Sequence, residues 1–177
     1  RVAGKYGSLI ILLLAMVFLT WQTKGRFALP GNLVNVVEQG AILGVASFAM
    51  TMTLIGGGID MSVAAVAGLC ATVLAGLLKG GHPLYMDVLA AILVGAAFGL
   101  LNGYVITKVR VKPFVATLCT MFLATGFKKV YNGWQPIWIT SPSLDYLARG
   151  RVLGVPVPVI ALVVLTLILY LLADQSP

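Results

Sequence analysis

Between Ala41 and Leu78 the chain runs for 38 residues with a single charged side chain, Asp60. One helix needs roughly 20 apolar residues to cross a bilayer. The run is too long for one crossing and right for two with a turn between them. Its midpoint falls between Ile59 and Asp60, beside Gly56-Gly57-Gly58, the only glycine triplet in the sequence. The segment is therefore expected to fold as a helical hairpin with a carboxylate at its bend.

The composition says what surrounds that hairpin. Hydrophobic residues make up 60% of the 177 and charged residues 10%, with a mean hydropathy of +1.03. A soluble domain carries about 25% charged residues, so this chain cannot cover a water-facing surface and reads as an integral membrane protein. Long continuous apolar stretches, rather than two-residue alternation, select helices over a closed barrel. The expected fold is all-α, a polytopic membrane bundle of about six transmembrane helices. The net charge of +7 comes from basic residues in loops and at span ends, where they set orientation and meet lipid headgroups rather than nucleic acid.

The spans are expected at about Tyr6–Trp21, Ala41–Ile55, Ser62–Leu78, Met86–Val109, Phe114–Lys128 and Val157–Ala173. An amphipathic helix from Asn32 leads into the second, with Asn35, Glu38 and Gln39 on its polar face. Gly126 is a possible break in the fifth. The third and fourth are rich in Ala and Gly (Gly95, Gly99 and Gly103 among them), which marks faces for close helix packing. The connection from Tyr131 to Pro156 is long, aromatic and rich in Pro and Gly. Placing Arg1 and Lys5 in the cytoplasm puts the dense basic loop Lys108–Lys112 inside as well. It leaves Lys24, Arg26, Lys79, Lys128, Lys129, Arg149 and Arg151 outside, against the usual bias.

Two readings stand open for Asp60. An ionisable group within a span is a candidate pathway or gating residue. Asp60 or Ser62 could equally cap the helix that follows, accepting bonds from its first free amides. The glycines allow a tight turn or a flexible gate. Asn102 and the threonines Thr117, Thr120 and Thr125 suit helix–helix hydrogen bonds or ligand contact. Trp134, Gln135, Trp138 and Tyr146 suit interface anchoring, partner binding or stacking on a sugar ring. Cys70 and Cys119 read as small buried hydrophobes, His82 as a lone loop histidine, and no pair has metal-ligand spacing. The chain has no phosphate-binding Gly-Lys-Ser/Thr loop and no Ser/His/Asp set, which argues against an enzyme. No arginine ladder or carbonyl filter argues for a channel.

Asn35 to Gly68, with Gly57-Gly58-Ile59-Asp60-Met61-Ser62-Val63 at its core, resembles the signature of ribose-type sugar ABC importer permeases. Gly99-Leu100-Leu101-Asn102-Gly103 follows in order, and then Pro113-Phe114-Val115-Ala116-Thr117-Leu118 leading to Gly133-Trp134-Gln135-Pro136-Ile137. The resemblance implies a single transmembrane permease domain in a bacterial inner membrane. It would work with a second permease subunit, with cytoplasmic ATPase subunits that bind the ATP, and with a periplasmic sugar-binding protein. It implies no cofactor on this chain. Gly57, Gly58, Asp60 and Ser62 would form the signature turn, with Asn102 and Thr117 facing the pathway. Trp134, Gln135 and Trp138 would lie in a periplasmic docking loop. Family members continue past the position of Pro177, so the chain is expected to be the N-terminal part of such a permease. The alternatives are an ion-coupled secondary transporter or channel built on the same broken hairpin, a scaffold subunit, and a related permease for a nucleoside or a signalling furanone.

Overall fold

A computed structural model describes residues 2–174, with side chains described from Tyr6 to Leu171. Arg1, which entered the orientation argument, and the segment 175–177 lie outside the described residues. The fold is helical throughout: α1 (Val2–Gln22), α2 (Pro30–Ile55), α3 (Val63–Lys79), α4 (Leu84–Thr107), α5 (Pro113–Tyr131), α6 (Pro142–Arg149) and α7 (Val157–Asp174). A two-stranded antiparallel hairpin, β1 (Arg151–Val152) and β2 (Val155–Pro156), sits between α6 and α7. Its turn residues Leu153 and Gly154 both have positive φ, 52° and 83°, as a type I′ turn requires.

Among the described residues two helices, α2 and α4, are long and apolar enough by themselves to cross a membrane, and Tyr6–Gln22, Val63–Lys79 and Val157–Leu171 are shorter apolar helices. The chain divides into two compact units. One comprises residues 46–142 and contains the end of α2 with α3, α4 and α5; the other comprises residues 1–45 and 143–177.

In the first unit α3 packs against both α4 and α5, and α4 against α5. Glycines set how closely. A β-carbon on Gly76 of α3 would collide with the ring of Tyr131 on α5, and one on Gly95 of α4 would stand 3.4 Å from Cys70 Sγ. Gly99 and Gly103 were expected on the same packed face, yet a β-carbon on either would meet nothing within 4 Å. The interior is unusual in its polarity. Among its described residues the buried apolar ones are Leu69, Ala75, Ala116 and Ala124, and the buried polar ones are Ser62, Asp87, Asn102, Thr117 and Thr120. Large apolar side chains such as Leu100, Phe122 and Val130 point outward. That inversion suits a chain whose solvent is lipid, where helices associate through small residues and interhelical hydrogen bonds.

In the second unit the amphipathic lead-in from Asn32 runs on into the apolar span as one helix, as expected. α2 begins at Pro30, a residue preorganised for a first helical turn, and runs unbroken for 26 residues. A β-carbon on Gly44 would lie 2.9 Å from Leu162 on α7. The stretch after Tyr131 differs from a plain loop, since it holds α6 and the β1–β2 hairpin. α5 passes Gly126 without a break, because a lone glycine costs a helix only about 1 kcal/mol.

Candidate functional site

The bend between α2 and α3 is built by three successive devices. The first ends α2. Gly57 takes a left-handed conformation at φ 79°, its N–H donates to Leu54 O at 3.0 Å, and the N–H of Gly58 donates to Thr53 O at 3.0 Å. This pair of bonds is the Schellman motif, which satisfies the last carbonyls of a helix and needs glycine at the left-handed position. Gly58 has a different role: a β-carbon there would sit 3.0 Å from Pro113 Cβ. Its missing side chain lets the bend approach the first turn of α5.

The second device is a side-chain turn. Asp60 Oδ1 accepts the Ser62 N–H at 2.7 Å and the Ser62 hydroxyl at 2.6 Å, an Asx-type turn. The capping bond thus falls on the residue before α3, not on the first amides of α3 itself. Ser62 is the N-cap and makes no side-chain cap bond of its own.

The third device ties the bend to its neighbours. Asn102 Nδ2 on α4 donates to Ser62 Oγ at 3.0 Å, and Asn102 Oδ1 accepts the Thr120 hydroxyl of α5 at 2.6 Å. Thr117 Oγ1, also on α5, accepts the Met61 N–H at 3.1 Å and lies 3.2 Å from the Ile59 carbonyl, to which it can donate. Every donor from Thr120 through Asn102 and Ser62 points toward the Asp60 carboxylate, so each bond polarises the next. Ser62, Asn102, Thr117 and Thr120 are all buried. Only Asp60 Oδ1 is used: Oδ2 has no hydrogen-bond partner among the described residues.

Beside this node lies a cavity of about 350 Å³. Thr53, Asp60, Asn102 and Thr117 give it polar edges, and Gly99 and Gly103 leave it room. That explains the two α4 glycines that pack against nothing. The volume is in the roughly 300–1,000 Å³ range of small-molecule sites. Gly57, Gly58, Asp60, Ser62, Asn102 and Thr117 are thus brought together at one end of α3–α5. Thr120 belongs with them. Its inward position followed from its place in an apolar helix, since a threonine three residues after Thr117 shares its face.

Trp134, Gln135 and Trp138 are not part of this constellation. They follow the far end of α5, about 28 Å along a 19-residue helix from Pro113. All three are exposed, and Lys129 Nζ lies 4.5 Å from the Trp134 ring centroid. Asp87, in the first turn of α4, was not among the expected site residues. It is 1% exposed and its Oδ2 has no partner among the described residues. A lone carboxylate at the start of the apolar stretch Leu84–Tyr104 was the available signal. Cys119 is exposed on α5, unlike the buried role expected of it, and Cys70 is half-buried; both are free thiols. Among the described residues no cluster of His, Cys, Asp and Glu could hold a metal ion.

Known proteins share this chain's sequence over most of its length. The chain is 35% identical over 180 residues to the ribose import permease protein RbsC of Bacillus subtilis (strain 168), a match covering 98% of this chain and 53% of the relative. It is 33% identical to the galactofuranose transporter permease protein YtfT of Escherichia coli (strain K12), covering 88% of this chain and 46% of that one. It is 29% identical to the autoinducer 2 import system permease protein LsrD of Enterobacter sp. (strain 638), covering 96% and 54%. The chain spans about half the length of these curated relatives. No solved structure matches it. Residues 32–176 match the family described as the branched-chain amino acid transport system / permease component. This stretch takes in the bend, the node around Asn102 and the cavity, and the chain is a membrane protein that belongs to that permease family.

Proposed function

We propose that this chain is part of the transmembrane subunit of an ATP-binding-cassette importer. Its cargo is a simple sugar, a ribose-like pentose or a hexose, carried across a bacterial inner membrane by alternating access. The observation that carries the reading is the match along 98% of the chain to a protein named as a ribose import permease. The geometry supports it: a broken hairpin with a hydrogen-bonded polar node beside a small cavity suits a substrate path in an otherwise apolar bundle.

In this reading α1, α2, α3, α4, α5 and α7 are six membrane crossings of one permease domain. The path runs past the cavity at the bend, where Asp60, Asn102 and Thr117 offer hydrogen bonds to hydroxyl groups. Gly57, Gly58 and Ser62 hold the turn that keeps those groups in place. Trp134, Gln135 and Trp138 lie on the periplasmic side, where a sugar-binding protein docks. A second permease subunit completes the path, and cytoplasmic ATPase subunits bind and hydrolyse ATP. This chain binds no cofactor and performs no catalysis of its own.

The test is uptake into proteoliposomes that hold the full-length permease with its ATPase and binding protein. ATP-dependent accumulation of D-ribose, D-fructose or D-galactose is the expected result. Uptake driven by an ion gradient without the ATPase would overturn the reading in favour of a secondary transporter. A second cargo class, a furanone-type signalling molecule, is favoured by the match along 96% of the chain to the autoinducer 2 permease, and the same assay reads it.

A further inference from the structure

The second compact unit holds a polar recess that the proposed path does not use. Asn35, Glu38 and Gln39 stand at i, i+3 and i+4 on α2 and so share one face of the helix. Arg149 at the end of α6 and Arg151 at the start of β1 face them across a cavity of about 530 Å³. Ile42, one turn below Glu38 on the same face, adds an apolar patch to the lining.

These groups are weakly committed to one another. Glu38 and Arg151 form a long ion pair of 3.9 Å, the only one among the described residues, and the Glu38 side chain is 16% exposed. The side chains of Asn35, Gln39 and Arg149 have no hydrogen-bond partner among the described residues. The recess therefore presents two amides, one carboxylate and two guanidiniums with most of their donors and acceptors free. α2 spans about 39 Å over its 26 residues, longer than the roughly 30 Å hydrocarbon core. The excess of about 9 Å lets roughly the first six residues reach the interface, and the charged face begins there at Asn35, within reach of water.

Resting on the importer reading above, we infer that this recess is a second, outer sugar-binding subsite for a neutral monosaccharide. A polyol suits it because adjacent hydroxyls each donate and accept, and so can bridge the Glu38 carboxylate, the amides and the guanidiniums together. Glu38 is paired with Arg151, so the recess carries one net positive charge, and anionic controls decide between a polyol and an anion. The volume falls in the roughly 300–1,000 Å³ range of small-ligand sites. In the orientation adopted above, the recess opens on the face from which the sugar arrives.

The experiment places a Gln39→Cys substitution in the full-length permease, assembled with its ATPase in membrane vesicles, with Cys70 and Cys119 replaced by alanine. A membrane-impermeant thiol reagent then labels the introduced thiol, with and without D-ribose, D-fructose or D-galactose at tens of millimolar. The labelling rate is expected to fall at least threefold with one of these sugars and to stay unchanged with sodium phosphate or succinate. Adding Glu38→Gln or Arg151→Gln is expected to remove the protection while the unprotected labelling rate stays within about twofold. A thiol that does not label, labelling that no sugar slows, or protection by the anions overturns the subsite. So does protection by the binding protein in the absence of sugar, which would make the recess a protein contact. ATP-driven uptake of the same sugars is measured in parallel. Uptake without protection overturns the subsite alone. Protection without uptake upholds the subsite and overturns the importer reading. Neither uptake nor protection overturns both.

Discussion

Two polar regions of this molecule each gather several polar side chains and end in opposite states. At the bend, Asp60, Ser62, Asn102, Thr117 and Thr120 are bonded to one another or to nearby backbone, over separations of up to 58 residues. On the outer face of α2, Asn35, Glu38, Gln39, Arg149 and Arg151 share one loose ion pair. The first region lies inside a bundle, where an unpaired polar group costs several kcal/mol, on the order of 2–7. The second is open, so its groups can remain solvated at little cost. Saturated groups position a backbone, and unsaturated ones are available to a ligand. At the bend, Asp60 shares both characters, with one oxygen bound and the other without a partner among the described residues.

That contrast predicts a graded set of stability effects, all readable as thermal unfolding of the detergent-solubilised full-length protein. The largest is expected for Gly76→Val, which drives a side chain into the Tyr131 ring and should cost about 3 kcal/mol. Pairing it with Tyr131→Ala should recover part of that loss, whereas no recovery would mean that the contact is not the cause. Asn102→Leu comes next, since it takes the acceptor from the Thr120 hydroxyl and the donor from Ser62 Oγ together. It should cost about 2 kcal/mol, above the average for a single interhelical bond in a membrane protein. Thr117→Val keeps the shape but removes the acceptor for Met61 N–H, for about 1 kcal/mol. Gly31→Ala, in the first turn of α2 with nothing within 4 Å, should be neutral or stabilising by less than about 1 kcal/mol. An Asn102→Leu protein as stable as the Gly31→Ala one would erase the distinction between the two regions.

The bend was legible in the sequence because bilayer thickness fixes how long a crossing can be. A 38-residue run with glycines at its centre has few other solutions. The start of α5 at Pro113 was legible for a similar reason, as proline suits a first helical turn. The inward placement of Asn102 and Thr117 followed from their being polar residues in apolar helices. What sequence could not supply were the pairings. Nothing local says that Ser62 meets Asn102, 40 residues away, because that depends on how α3 and α4 pack against each other. The recess of the second unit was hidden for the same reason. The face of Asn35, Glu38 and Gln39 could be read from helical spacing, but the arginines opposite it arrive on α6 and β1, which lay within a segment read as a loop. Asp87 stood out as a lone carboxylate, but its burial did not, since a carboxylate in a first helical turn suits the helix dipole whether or not anything covers it.

The central claim is that Asp60 holds the bend with one oxygen and offers the other to the substrate path. It is tested most directly by comparing Asp60→Asn and Asp60→Ala in the full-length transporter, scoring unfolding temperature and ATP-driven sugar uptake on the same preparations. Asp60→Asn keeps an acceptor for the Ser62 N–H, so it should unfold within about 0.5 kcal/mol of wild type while its uptake falls at least several-fold. Asp60→Ala loses the turn as well and should cost about 1 kcal/mol and most of the uptake. If both variants unfold and import like the wild type, Asp60 neither holds the bend nor serves the path, and the account is wrong.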